Sequence, residues 1–416
     1  MRKIYLVTNG FPYDRNEDPF IIPELRELVK SYEVIIISCI RMNNVAIEER
    51  NLTNLIGKQI SVYQYKEHRK SIWQILGSLF ICLHPVFIKE AIEIIKTRTQ
   101  IWGRLWRSYL FFTQSDDFYR WLKREKVIER NCGGIYYTYW NTYYCLHMGL
   151  HRKQYPQLKF VSRLHGYDLY DYVVPFGRQP FKERIGSIYD KLVFISKHGF
   201  DYYGQKYPSL MCKKKCVLCR LGMDNEKANI YINNVPFLLV SCSKVYPLKR
   251  VALIVKGLEK ISDIEMKWVH FGDGEEKEKI EHLAEQLLKS KRNIEYIFMG
   301  RKTNEEVIGY YEKNYPSCII NVSESEGSPV SLQEALAFGT PVIVTDVGGN
   351  SELLEDNGCL LPANPSPEQV ASAIQYIAQA DKEQYQAMRR HSYELWNKEY
   401  NRKKNTANFI KVLEGL

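Results

Sequence analysis

The segment Asn321–Glu352, NVSESEGSPVSLQEALAFGTPVIVTDVGGNSE, reads as strand, loop, helix, strand, loop. Pro329 suits a first helical turn, where its missing N–H costs nothing; Ser328 is the expected N-cap and Gly339 the expected stop. The backbone amides of Ser328, Val330 and Ser331, with the positive end of the helix dipole behind them, make an anion site that suits a diphosphate. Two acids frame it, Glu326 in the loop and Glu334 within the helix. A carboxylate beside an anion site is electrostatically awkward unless it serves hydroxyl groups or a developing cation, and sugars present both needs.

Working outward, the same alternation recurs on both sides. Before this segment, Phe237–Ser241, Lys267–Phe271 and Ile294–Met299 are apolar strand runs separated by helical stretches, with Cys318–Val322 and Pro341–Thr345 completing the series. The first half opens with the strand Lys3–Thr8, the loop Asn9-Gly10-Phe11-Pro12, a helix over Ile22–Ser31 and the strand Glu33–Ser38. Strands resume at Gly134–Tyr139, Lys159–Leu164, Lys191–Ser196 and Val217–Leu221. Strand–helix alternation of this kind gives parallel sheets whose ligands sit at the carboxyl ends of the strands. A chain of 416 residues divides naturally into two such α/β units of roughly 200 residues. The expected division is residues 1–222, a polar linker from Gly222 to Asn234, a second unit over 235–395, and a basic helical end over 396–416.

One stretch breaks the alternation. Residues 63–127 are expected to form basic and aromatic helices, carrying Lys66, Arg69, Lys70, Trp73, Lys96, Arg98, Trp102, Arg104, Trp106, Arg107, Trp121, Lys123 and Arg124. Trp mixed with Lys and Arg is what contact with the inner face of an anionic membrane requires; the alternative is a solvated helical hairpin with its tryptophans packed inward. The formal charge of +10 calls for an anionic partner of some kind. No RNA- or DNA-binding signature accompanies it, so nucleic acid is not the expected partner. No apolar run reaches the about 18 to 20 residues of a spanning helix, since Ile72–Ile88 contains Gln74, His84 and Pro85. The ten cysteines are scattered, and Met1-Arg2-Lys3 runs straight into a strand, a pattern that reads as cytoplasmic. Cys212, Cys216 and Cys219 cluster, but without a second ligand pair they read as buried thiols and not as a metal site.

Glu326-Gly-Ser-Pro-Val-Ser-Leu-Gln-Glu334, with Ala335-Leu-Ala-Phe-Gly-Thr-Pro-Val and Asp346-Val-Gly-Gly-Asn-Ser-Glu352, resembles the signature of the retaining GT-B glycosyltransferases of family four. The resemblance is close in the C-terminal half and loose in the N-terminal half. It implies the GT-B fold, two Rossmann-like domains with parallel sheets facing a cleft. It also implies roles: Glu326 at the donor sugar, Glu334 on the ribose hydroxyls, and Ser328, Pro329 and Val330 around phosphate or sugar. Ser241-Cys-Ser-Lys244-Val-Tyr-Pro-Leu-Lys249-Arg250 is similar to the family's basic loop, which assigns Lys249 to the leaving diphosphate. Lys244 stands where the family usually has Arg and loses the bidentate fork. Phe298-Met-Gly300-Arg301 resembles a glycine turn that contacts the nucleotide base, as Phe271-Gly272-Asp273-Gly274 resembles a companion turn. Arg163-Leu-His165-Gly-Tyr-Asp168 looks like the family's histidine loop, with His165 near the donor sugar. Asn9, Gly10 and Phe11, continuing to Glu17-Asp-Pro-Phe20, resemble acceptor-side loops of bacterial members.

The expected activity is transfer of a sugar, with retention, from a nucleotide-sugar such as a UDP- or GDP-sugar to a saccharide acceptor. A lipid-linked acceptor in bacterial surface polysaccharide assembly (capsule, O-antigen or exopolysaccharide) is preferred. No cofactor is expected. No Asp-x-Asp occurs in the sequence, and Lys244, Lys249 and the helix start are expected to offset the diphosphate charge without a divalent metal. The rival reading is a non-catalytic nucleotide-sugar or membrane-surface binding protein of the same fold.

Overall fold

The computed structural model describes residues 1–41, 50–67, 79–130, 132–212, 214–225 and 236–416. It divides into two units: Met1–Cys219 with Thr406–Leu416, and Arg220–Asn405. Arg69, Lys70 and Trp73 of the basic stretch, and most of the expected linker, lie outside the described residues.

The first unit holds seven strands: β1 (Arg2–Thr8), β2 (Tyr32–Arg41), β3 (Ser61–Glu67), β4 (Gly134–Thr138), β5 (Leu158–Leu164), β6 (Lys191–Phe194) and β7 (Cys216–Leu218). They form one sheet in the order β3-β2-β1-β4-β5-β6-β7, every pairing parallel. Central strands are apolar on both faces, as in Ile4-Tyr-Leu-Val7 and Val34-Ile-Ile-Ile37, because helices cover both sides. Tyr136, Phe160 and Phe194 point into one core, and Ile4, Leu6, Ile36 and Val161 into the opposite one.

The second unit holds six strands: β8 (Phe237–Cys242), β9 (Met266–Phe271), β10 (Ile294–Phe298), β11 (Cys318–Asn321), β12 (Val342–Thr345) and β13 (Gly358–Leu361). Their order is β10-β9-β8-β11-β12-β13, again all parallel. Both orders reverse direction beside the first strand of the unit, which is the doubly wound arrangement with its ligand crevice at the strands' carboxyl ends.

Three expectations need correction. The stretch 63–127 does not begin as helix: Tyr63–Glu67 belong to β3, an edge strand whose partly solvated, charged sequence hides its alternation. Helices follow at α1 (Pro85–Lys96) and α2 (Ile101–Arg124). The chain end is not one helix over 396–416. A wide turn over Trp396–Tyr400 ends at Asn401, whose extended backbone breaks the run, and a separate helix covers Arg402–Glu414. Finally, Gly222–Asp224 is not free linker, since Met223 is buried and pairs with Asn401 as a parallel bridge.

Candidate active site

In the second unit the loops after β8, β9, β10, β11 and β12 carry the residues singled out by sequence. Lys249 closes a short 3-10 turn, Pro247–Lys249, and its Nζ lies 2.5 Å from Oε1 of Glu326. The same oxygen accepts from Asn321 Nδ2 at 2.9 Å and from Ser323 Oγ at 2.6 Å. The buried Glu326 carboxylate therefore has its charge matched by a lysine, which removes the electrostatic objection to a carboxylate beside the helix start. Among the described residues Glu326 Oε2 accepts nothing. The backbone of Glu326 is held by the turn after β12: a Cβ on Gly348, whose φ is +54°, would stand 1.8 Å from the Glu326 carbonyl oxygen. Only glycine allows that approach.

The helix that follows, α3 (Val330–Ala337), starts one residue later than expected. Pro329 is the N-cap, because its locked φ of −68° combines with an extended ψ of 118°. Ser328 does not cap; its Oγ accepts from Gln333 Nε2 at 2.8 Å. The N–H groups of Ser328, Val330 and Ser331 meet no acceptor among the described residues, so the donors expected at a helix start are open. Gly339 ends the helix in the left-handed region, φ +64°.

Glu334 is buried in α3, and its Oε1 accepts from Asn304 Nδ2. Burial raises this carboxyl from 4.5 to about 8, against the lowering effects of Asn304 and the charge of Arg402. It is a carboxylic acid at neutral pH, able to donate as well as accept.

The glycine turns have separate reasons. Gly272 and Gly274 pass so near the backbone of Ser243 and Val245 that a Cβ would stand 1.8 and 2.3 Å from their carbonyl oxygens. Gly300, at φ +65°, faces open space, and its carbonyl accepts from Gly272 N at 2.9 Å. Arg301 and Lys244 are exposed, and no acid pairs with Lys244 among the described residues. Arg250, the third cation of the basic loop, is structural: its guanidinium donates to the carbonyls of Val322, Ser323 and Ala363. Glu352 is likewise engaged, accepting from Arg220 at 2.8 Å.

In the first unit a second cluster forms after β1, β4 and β5. The amides of Gly10 and Phe11 each donate to Glu17 Oε2 at 2.9 Å, and Asn9 N donates to Oε1 at 3.3 Å. Trp140 Nε1 donates to the same carboxylate. Burial raises the Glu17 carboxyl, while these four donors oppose the rise. The side chain of Asn9 accepts from Tyr144 Oη at 2.7 Å.

The Trp140 ring lies 4.1 Å from that of His165, linking this loop to the histidine. His165 is buried, and its backbone N–H donates to Asp168 Oδ1 at 2.6 Å. Among the described residues neither ring nitrogen has a hydrogen-bond partner; Nδ1 is 3.6 Å from Asp168 Oδ2. Burial pushes the Asp168 carboxyl up, but His165, Lys182 and the Asn141 amide outweigh it and hold it low. Burial drives the Lys182 ammonium down to about 8 against the pull of Asp168, and its Nζ donates to Asn141 Oδ1 at 2.6 Å. Arg163 is also structural, 2.6 Å from Glu24 and stacked 4.4 Å from the centroid of Phe409.

Sequence reasoning missed Trp140, Asn141, Lys182 and Asn304. Nothing in their local sequence marks them, since each acts through a partner 27 to 123 positions distant. Among the described residues, no three His, Cys, Asp or Glu side chains group to hold a metal, and no helix is long and apolar enough to cross a membrane.

Residues 223–395 match the model of the glycosyl transferases group 1. The chain is 29% identical over 149 residues to the UDP-N-acetylglucosamine–peptide N-acetylglucosaminyltransferase GtfA subunit of Streptococcus agalactiae, covering 34% of this chain and 28% of that protein. The chain spans 28 to 39% of the length of the curated relatives it matches. Among solved structures, the lipopolysaccharide outer core galactosyltransferase WaaB aligns over 99% of both chains, with a TM-score of 0.64 and 14% identity. HepE of Anabaena, solved with UDP and glucose, aligns over 100% of both at a TM-score of 0.62 and 13% identity. With the signature placed at the strand ends and both sheets doubly wound, residues 223–395 match the glycosyl transferases group 1, and the chain as a whole shares the GT-B fold of these solved structures.

Proposed function

We propose that the chain is a retaining glycosyltransferase that moves a sugar from a nucleotide-sugar to a saccharide acceptor without a divalent metal. The observation that carries this reading is the Lys249–Glu326 pair, 2.5 Å apart, beside the open amides of Ser328, Val330 and Ser331. The amides and Lys249, with Lys244 beyond, offer the positive charge that a departing nucleoside diphosphate needs. The C1–oxygen bond to the diphosphate breaks, the acceptor oxygen bonds to C1 on the same face, and the acceptor proton passes to the departing phosphate. Glu326, its charge balanced by Lys249, lies against the sugar. Glu334, neutral at pH 7, takes the ribose hydroxyls, and Gly300 and Arg301 flank the base. His165 orients the donor sugar, with Asn9, Gly10 and Phe11 on the acceptor side; because Glu17 occupies their amides, only the Asn9 side chain and the loop's shape remain for an acceptor.

UDP is the favoured nucleotide, since the matched peptide N-acetylglucosaminyltransferase is named for UDP-N-acetylglucosamine and HepE was solved with UDP. A lipid-linked saccharide at the inner face of a bacterial membrane is the favoured acceptor, in keeping with the structural likeness to a lipopolysaccharide galactosyltransferase.

The test is thermal stabilisation and donor turnover with UDP-, GDP-, ADP- and CMP-sugars in EDTA, for wild type, Glu326→Ala and Lys249→Ala. One nucleotide-sugar is expected to raise the melting temperature by mass action and to be turned over by wild type, with a loss of about 10²- to 10³-fold in either variant. Stabilisation without turnover by any form supports the non-catalytic binding protein instead; no response to any donor removes the proposal.

A further inference from the structure

The helix α1 is apolar on two sides. Phe87 and Ile94 face the core with Glu90, which Arg178 neutralises at 2.9 Å. Ile88, Ile92 and Ile95, at the i, i+4, i+7 spacing of a single stripe, face outward and are exposed. The short turn before α1 adds Phe80 and Leu83, 80% and 71% exposed, and the first turns of α2 add Trp102 and Trp106, with Trp102 84% exposed. A water-facing helix has no use for a second apolar stripe, and large contiguous apolar patches mark interaction sites. Trp121, further along α2, shows the contrast: it packs against Tyr65 and Phe118.

The charges around this patch are one-sided. Between Phe80 and Arg107 the chain carries Lys89, Lys96, Arg98, Arg104 and Arg107 against Glu90 and Glu93. Both acids are engaged, Glu90 by Arg178 and Glu93 by Lys96 at 2.9 Å. Arg104 and Arg107 are spent on the carbonyls of Phe176 and Pro175. Lys89 and Arg98 are exposed, and no acid pairs with either among the described residues. A second copy of this face would set cations against cations, which disfavours a symmetric dimer. An anionic lipid surface supplies both an apolar layer for the Ile and Trp side chains and phosphates for the cations.

We propose that Phe80, Leu83, Ile88, Ile92, Ile95 and Trp102 form an insertion surface that seats the first unit on anionic phospholipid, with Lys89 and Arg98 at headgroup level. This deepens the membrane side of the function proposed above and rests on that side alone, not on the transfer chemistry.

The test uses the full chain and vesicles of equal parts phosphatidylglycerol and phosphatidylcholine, against pure phosphatidylcholine. Wild type is expected to co-sediment with the anionic vesicles at low salt, with a blue shift of tryptophan emission, and to be weakened at least tenfold by pure phosphatidylcholine or by high salt. The triple variant Phe80→Ser, Leu83→Ser, Trp102→Ser changes only exposed side chains and is expected to lose at least tenfold in binding and the blue shift. Lys89→Glu with Arg98→Glu is expected to lose the preference for the anionic lipid. Retained binding by the triple variant overturns the proposal, as does the absence of wild-type binding. So does lipid-free self-association that the triple variant abolishes, since the occupant is then a second copy. The nucleotide-sugar experiment is run without vesicles, so vesicle binding with no donor response removes the enzyme reading and leaves this one standing.

Discussion

Replacing Glu334 by Gln should make the second unit progressively more stable than wild type as pH rises. The carboxyl is buried in α3 with an ordinary value of 4.5 raised to about 8. Between those values the native state holds a proton that the unfolded state has released, so wild-type stability falls with rising pH across this window. At about 1.36 kcal/mol per pH unit, the full span amounts to roughly 5 kcal/mol at pH 8 and above. Glutamine keeps an oxygen for the Asn304 amide and has no proton to lose. Hydrogen exchange of peptides covering residues 318–345, corrected for intrinsic rates, reports this unit by itself. The difference in opening free energy between Glu334→Gln and wild type should grow from pH 5 to pH 8.5 by about 4 kcal/mol, with the other titrating groups cancelling. A difference that stays constant over that range would refute the reasoning, and one that shrinks would reverse its sign.

Gly348→Ala introduces a methyl where the Glu326 carbonyl stands and a side chain at φ +54°, a backbone penalty of about 1–2 kcal/mol before any clash. The loop must shift and carry Glu326 from Lys249; donor turnover should fall about 100-fold or more, and wild-type rates in this variant would mean that the turn does not place Glu326. Glu24→Ala leaves the fully buried Arg163 guanidinium without its partner, and urea unfolding of the first unit should show a loss of about 3–5 kcal/mol; a loss below 1 kcal/mol would contradict the pairing at 2.6 Å. Asp168→Asn removes the acid that holds up the Lys182 ammonium, so the lysine should titrate below about 8, measurable by reactivity toward an amine reagent as pH is raised; an unchanged midpoint would detach the two groups.

The fold was legible because parallel strands covered on both faces are near-continuous apolar runs. β2, β5 and β9 announce themselves, and their boundaries fall within a few residues of those read from sequence. β3 escaped because an edge strand needs only one apolar face, and Ser61-Val-Tyr-Gln-Tyr-Lys-Glu ran on into a basic stretch. The helix start slipped by one residue because proline fits either side of a cap, and Gln333, five residues on from Ser328, claimed the hydroxyl that Ser328 was to use. The candidate site was legible where a chemical group belongs to a loop, as with Glu326 and Lys249. It was not where buried charge is arranged across strands. Lys182 and Asn141 meet only because the loop after β4 and the start of the helix over Lys182–Ile188 come together, and no spacing in the chain records that.

The carboxylate of Glu17 has a consequence for selectivity. In a doubly wound unit, the peptide groups just past the first strand are the ordinary landing place for phosphate. Here Asn9, Gly10 and Phe11 offer those groups to an acid the chain carries six to eight residues further on, and Trp140 clamps it there. An incoming phosphate would have to evict a tethered competitor of its own charge. The chain's own glutamate thus stops up the amides past the first strand of the first unit, while those at the start of α3 in the second unit stay open.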